Sequence, residues 1–160
     1  MKKLALASVV IVLAACNQTA PKKQEVSSTP VQWQKSTQNI AATFVKSKDS
    51  KVNGRMKQAE ASIVDLISAS ACDREAPKGA MKKYWENQNY HNMYVSPMNS
   101  MQYHKKGCVN VLRVNNWNMV AKNALKFSVA YESPQSGEVS DRRFTALEQS
   151  DGSWLFQPNV

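Results

Sequence analysis

From Leu125 to Glu132 the large apolar residues Leu125, Phe127, Val129 and Tyr131 alternate without a break with Lys126, Ser128, Ala130 and Glu132. A period of two sends successive side chains to opposite faces of an extended chain, so this segment is predicted to be a β-strand with one buried face. Such a strand belongs in an antiparallel sheet covered on one side only. Candidate partners surround it. Val109, Val111, Leu112 and Val114 form an earlier strand, with Asn115-Asn116 as a plausible turn. Ser133 to Gly137 is a loop, Arg142 to Gln149 a third strand, and Asp151-Gly152 a hairpin signal ahead of Trp154-Leu155-Phe156.

The preceding region has a different period. Met56, Ala59, Ile63, Leu66 and Ile67 recur at spacings of three and four, the pattern of an amphipathic helix facing a core. Ile40, Phe44 and Val45 suggest a shorter helical face starting near Ser36. Pro77 suits the first turn of another helix carrying Ala80, Met81, Tyr84 and Trp85 on one side. Tyr90 to Lys106 has no clean period and contains Pro97, so it reads as an irregular connection. Helices first and a meander last predict an α+β domain over residues 36–160, with N-terminal helices packed on an antiparallel sheet of about four strands.

The first residues follow another logic. Met1-Lys2-Lys3 precedes an uncharged apolar run from Leu4 to Leu13, and small residues follow at Ala14 and Ala15. The run is half the length of roughly 20 residues that a helix needs to cross a bilayer, which predicts an export signal over residues 1–15. Leu13-Ala14-Ala15-Cys16 resembles the lipobox of bacterial lipoproteins. That resemblance implies a Cys16 that is lipidated and becomes the new N-terminus, with enough acyl chain for stable anchoring. In the family pattern an Asp after the cysteine retains the protein at the inner membrane in many Gram-negative bacteria; Asn17 stands there instead, which implies the outer membrane with the domain in the periplasm. Residues 16–35, rich in Gln, Lys, Ser and Thr and holding Pro21 and Pro30, read as a tether spanning roughly 24 Å if flexible.

The full chain carries 21 Lys and Arg against 12 Asp and Glu, a formal +9, and loss of Lys2 and Lys3 with the signal would leave +7. A positive domain in the envelope is drawn to acidic head groups and polymers. An export signal removes it from nucleic acid. With Cys16 lipidated, Cys72 and Cys108 remain, and an even pair in an oxidising compartment predicts a disulfide. Closing a loop of about 37 residues would stabilise the fold by about 3.8 kcal/mol in the chain-entropy model. The alternative use of either cysteine, as a nucleophile with His91 or His104 as base, has no local signature behind it.

A helical half followed by long strands ending in Phe144, Leu147 and Asp151-Gly152-Ser153-Trp154-Leu155-Phe156 is similar to the nuclear transport factor 2-like fold. The resemblance implies a cone in which helices pack into a curved sheet. Enzymes of that superfamily commonly place Asp and His inside the cone. No such pair maps onto this chain, because His91 and His104 fall in the irregular connection. Periplasmic members include a scaffold component of secretion machines.

Three groups of residues are candidates for chemistry. His91, Met93, Met98, Met101 and His104 lie within one short segment, and thioether and imidazole donors together suit copper. Tyr84, Trp85, Tyr90, Tyr94 and Tyr103 offer flat apolar faces with polar tips for a glycan or hydrophobic ligand. Of Arg142 and Arg143, adjacent on a strand, only one can face the interior, where it needs an acidic partner or an anionic ligand; Arg143 is the candidate ligand residue. There is no phosphate-cradling glycine loop, nucleophile elbow or usable carboxylate pair. The expectation is therefore a non-enzymatic, membrane-anchored interaction or scaffold module whose partner is an envelope protein or anionic envelope polymer, needing no cofactor. The alternative is a small-ligand or copper-binding periplasmic protein.

Overall fold

A computed structural model describes residues 34–87 and 96–159. The lipobox with Cys16, the tether up to Trp33, and Tyr90, His91, Met93 and Tyr94 lie outside the described residues.

The domain is α+β. One α-helix, α1 (Ser50–Ser70), packs against a four-stranded antiparallel sheet of β1 (Asn110–Ala121), β2 (Ala124–Glu132), β3 (Val139–Glu148) and β4 (Trp154–Asn159), in the order β1-β2-β3-β4. Asp49 caps α1 by accepting the Lys51 N–H at 2.8 Å, which satisfies one of the donors that every helix start leaves free. Val52, Met56, Ala59, Ile63, Leu66 and Ile67 are all buried, as the periodicity predicts. The last residues, Ser68 to Ser70, are buried on every side, so the helix ends inside the protein. There the Ser70 hydroxyl lies 2.8 Å from the Tyr131 hydroxyl of β2, and the Ala71 carbonyl accepts the Val109 N–H at 2.8 Å. The Cys72–Cys108 disulfide links the end of α1 to the residues just ahead of β1, as the cysteine count predicts. At the other end of the helix Arg55 donates to the Lys122 carbonyl at 2.8 Å and to the Glu148 carboxylate at 2.6 Å, fixing α1 over two hairpins.

On the helix side of the sheet Phe127 is the hub. Its ring centroid is 5.3 Å from that of Trp117, 5.5 Å from Phe144 and 6.5 Å from Phe156, and Trp85 stacks on Phe144 at 6.4 Å. The alternation in β2 thus predicts the apolar face correctly, but not that a single face is buried, since Ser128 and Ala130 on the other side are buried too; Phe144 and Phe156 arrive from β3 and β4 through antiparallel register.

Three expectations need correction. The segment around Ile40 is a single 3-10 turn, Ile40–Thr43, and Phe44 is extended and bridges Val114 of β1. Similarly, the segment after Pro77 becomes a 3-10 turn at Ala80–Tyr84, and Trp85 then bridges Phe156 of β4. Both segments give up helix for the same reason: each covers an outer strand whose N–H and C=O groups would otherwise be unpaired. Val45 donates to the Val114 carbonyl at 2.9 Å and Glu86 to the Phe156 carbonyl at 3.0 Å, while the Gln38 amide pairs with both the N–H and C=O of Val111. Lastly, Asn115-Asn116 is not a turn. β1 runs through it with a bulge, Asn116 adopting φ 56°, a left-handed conformation that Asn tolerates. The turn comes later, at Lys122-Asn123, because Trp117 must still reach the core between Phe44 and Phe127.

Candidate functional site

The helix covers one face of the sheet, and the opposite face carries a grid set by strand register. Arg113 of β1 pairs with Ala130 of β2, which pairs with Asp141 of β3. In the next row Asn115 faces Ser128, then Arg143, then Asn159 of β4. In the third, Asn118 faces Lys126, then Thr145, then Gln157. Side chains on these positions all project to the side away from Phe127.

Small residues occupy the centre of this face. Ser128, Ala130 and Thr145 are buried beneath their longer neighbours. Around them Arg113, Asn116, Lys126, Ser128, Asp141 and Arg143 line an open groove of about 510 Å³. The bulge in β1 has a consequence here, because the extra residue turns Asn116 into the groove, where its amide donates to the Ser128 hydroxyl at 3.4 Å. Arg113, Lys126 and Arg143 enter no ion pair among the described residues. Three cations from three different strands therefore stand over a small-residue floor with their charges uncompensated except by the carboxylate of Asp141.

Arg142, by contrast, is built into the fold. Its guanidinium donates to the Ser96 carbonyl at 2.7 and 3.1 Å and to the Ser100 hydroxyl at 2.7 Å, so its inward partner is a backbone carbonyl rather than an acid or a ligand. Nearby, Asp73 is buried and accepts a hydrogen bond from the Ser96 hydroxyl at 2.8 Å. Burial raises its pKa to about 6, against the opposing pull of that hydrogen bond and of Arg74 and Arg142. These contacts hold the segment from Ser96 onward against the end of α1 and β3. Glu138 adds to them: its carboxylate accepts the N–H groups of Gln102 and Tyr103, each at 2.8 Å.

The described members of the soft-donor group are engaged in packing. Met98 and Met101 belong to the hydrophobic core. His104 is buried, with Nδ1 3.0 Å from the Ser133 hydroxyl and Nε2 3.2 Å from the Gly107 carbonyl, so both ring nitrogens are already used. His91 and Met93 lie outside the described residues. Among the described residues no group of three or more His, Cys, Asp or Glu is placed to hold a metal ion.

The aromatic candidates divide. Trp85 is a core residue against Phe144, and Tyr84 is buried beside it. Tyr84 also lines a second depression with Asp65, Lys83, Trp154 and Phe156. Burial pushes its hydroxyl up to about 12, and Lys35, paired with Asp65, lies 5.8 Å from the ring centroid. Tyr103 is 60% exposed on the surface, whereas Tyr90 and Tyr94 fall outside the described residues. The described candidate ligand residues Tyr84, Trp85 and Tyr103 thus do not line one aromatic groove. Among the described candidates Arg143 faces the sheet groove.

Arg113, Asn116, Lys126, Ser128 and Asp141 are the groove residues that sequence reasoning misses. A signal was available for two of them, since the alternation already puts Lys126 and Ser128 on one face of β2. Their juxtaposition with Arg113 and Arg143 depends on register and on the bulge. Among the described residues no helix is long and apolar enough to cross a membrane. No protein-family model matches this chain, and neither a curated protein nor a solved structure is detectably similar to it.

Proposed function

We propose that the chain is a membrane-anchored lipoprotein of the bacterial envelope whose domain acts as a non-enzymatic interaction module, holding an anionic envelope component on the open face of its sheet. The observation that carries this reading is the set of three cations, Arg113, Lys126 and Arg143, raised from three strands on the face opposite the helix and unpaired among the described residues. An uncompensated cationic patch attracts and orients acidic partners. The anchor part of the reading rests on Leu13-Ala14-Ala15-Cys16 and the apolar run before it. It makes Asn17 the basis for an outer-membrane, periplasm-facing location. A helix on one side of a four-stranded antiparallel meander is also the arrangement on which we base kinship with the nuclear transport factor 2-like cone.

The test is in-cell crosslinking followed by membrane pull-down and mass spectrometry, comparing the native chain with Arg113→Glu/Lys126→Glu/Arg143→Glu. Loss of a reproducible partner in the variant supports the reading. An unchanged set of partners sinks it. Fractionation of Cys16→Ala tests the anchor separately: release from membranes is expected, and retention without acylation overturns it.

A further inference from the structure

The groove on the open face has a lining that is informative about its occupant, an inference that rests on the interaction reading above. We infer that the groove binds an acidic polysaccharide through sugar hydroxyls and spaced carboxylates.

The lining residues are all polar or charged, so an acyl chain or an apolar peptide side chain seated there would meet only the stems of polar residues and would strip water from their heads. The backbone groups beneath it are consumed in the sheet, so a peptide strand cannot add to this face by main-chain pairing. Charge complementarity calls for an anion, but the arrangement argues against one compact phosphate. Arg113, Lys126 and Arg143 spring from different strands and different rows, with backbone origins about 8 to 14 Å apart by sheet geometry. They are set to meet charges distributed along a chain. Asp141 sits two residues from Arg143 on the same strand and face, where it would repel a polyanion lacking donors but can accept from a hydroxyl. Asn116 and Ser128 each offer both a donor and an acceptor, the combination a sugar hydroxyl presents in return. A ligand with hydroxyls along its length and single negative charges at intervals satisfies the whole lining. The floor of small residues lets such a chain approach closely.

The test is calorimetric titration of the purified full chain with trigalacturonate, and with maltotriose, hexaglutamate and inorganic phosphate as comparators. Trigalacturonate is expected to bind in a salt-sensitive way, at least about tenfold more tightly than any comparator. Arg143→Gln is expected to weaken it by about tenfold, the scale of one charge-assisted hydrogen bond. Asp141→Asn is expected to weaken it too, because it replaces the carboxylate that accepts the hydroxyl. Equal or tighter binding of hexaglutamate or phosphate overturns the inference, as does stronger trigalacturonate binding by Asp141→Asn. Circular dichroism of each variant guards against misfolding as the cause. If trigalacturonate fails to bind while the charge-reversed variant still loses its partner in cells, the ligand class is wrong and the interaction reading stands. If the variant keeps every partner, the interaction reading itself falls.

Discussion

The two faces of the sheet are made by the same strands, one residue apart, and could hardly differ more. Phe127 is wholly buried against three aromatic rings, while its neighbour Ser128 floors a groove open to water. Phe144 stacks under Trp85, and its neighbour Arg143 stands in solvent with no ion-pair partner among the described residues. Stability is therefore concentrated on the helix side, where apolar area leaves water. On the outer face the exposed side chains Arg113, Asp141 and Arg143 bury little apolar area, so they are expected to contribute little to stability.

The sharpest way to break this contrast is to move one residue along β2. Phe127→Ala is expected to destabilise the domain by about 3–5 kcal/mol in urea unfolding, because it empties the centre of the aromatic cluster. Ser128→Ala, on the other face, should cost no more than about 1 kcal/mol, the net worth of its long hydrogen bond from the exposed Asn116. Comparable losses for the two would mean that the outer face is not independent of the core.

Removing the link between helix and sheet comes next. Cys72→Ser/Cys108→Ser should cost about 2–5 kcal/mol, read as a lower unfolding midpoint, since the bridge closes a long loop at the buried end of α1. An unchanged midpoint would show that the Tyr131–Ser70 contact and the Val109 backbone bond suffice there.

Asp73 gives the inner side a pH dependence. Its folded pKa of about 6 lies above the ordinary 3.8, so the folded state binds its proton more tightly than the unfolded state does. Its contribution to stability is present in full below about pH 4 and is lost as pH rises through about 6, by at most about 3 kcal/mol. Thermal melts from pH 4 to 7 should show this decline, and Asp73→Asn should flatten it. An equal slope in the variant would assign the effect to another group.

The smallest expected change in stability is at the cations. Arg113→Gln/Arg143→Gln should leave the unfolding midpoint within about 0.5 kcal/mol of native while abolishing retention on an immobilised acidic polymer. A large loss of stability there would make the open face structural and count against the recognition role proposed for it.

Much of this architecture was legible in the chain. The helix from the spacing of Met56, Ala59, Ile63 and Leu66, the apolar face of β2, the loop at Ser133 and the hairpin at Asp151-Gly152 all follow from local period and turn chemistry. The pairing of Cys72 with Cys108 followed from counting in an expected oxidising compartment. The segments around Phe44 and Trp85 were misread as helix because their own pattern is helical, while their backbone is claimed by strands distant in sequence. Asn115-Asn116 was misread for a related reason: the local signal for a turn was outweighed by the burial of Trp117 just beyond it. The groove could not be read at all from local pattern. The alternation in β2 sets Lys126 outward, but which of Arg142 and Arg143 faces outward, and whether it stands beside Lys126, depends on register, which turns Arg142 inward and leaves Arg143 exposed. Sequence by itself determined the apolar side of β2 and of α1, because burial of apolar area imposes a period of two on a strand and of 3.6 on a helix. Only the tertiary structure decided which polar residues share a row, because register is set by packing against α1, by the bulge at Asn116 and by the covered edges.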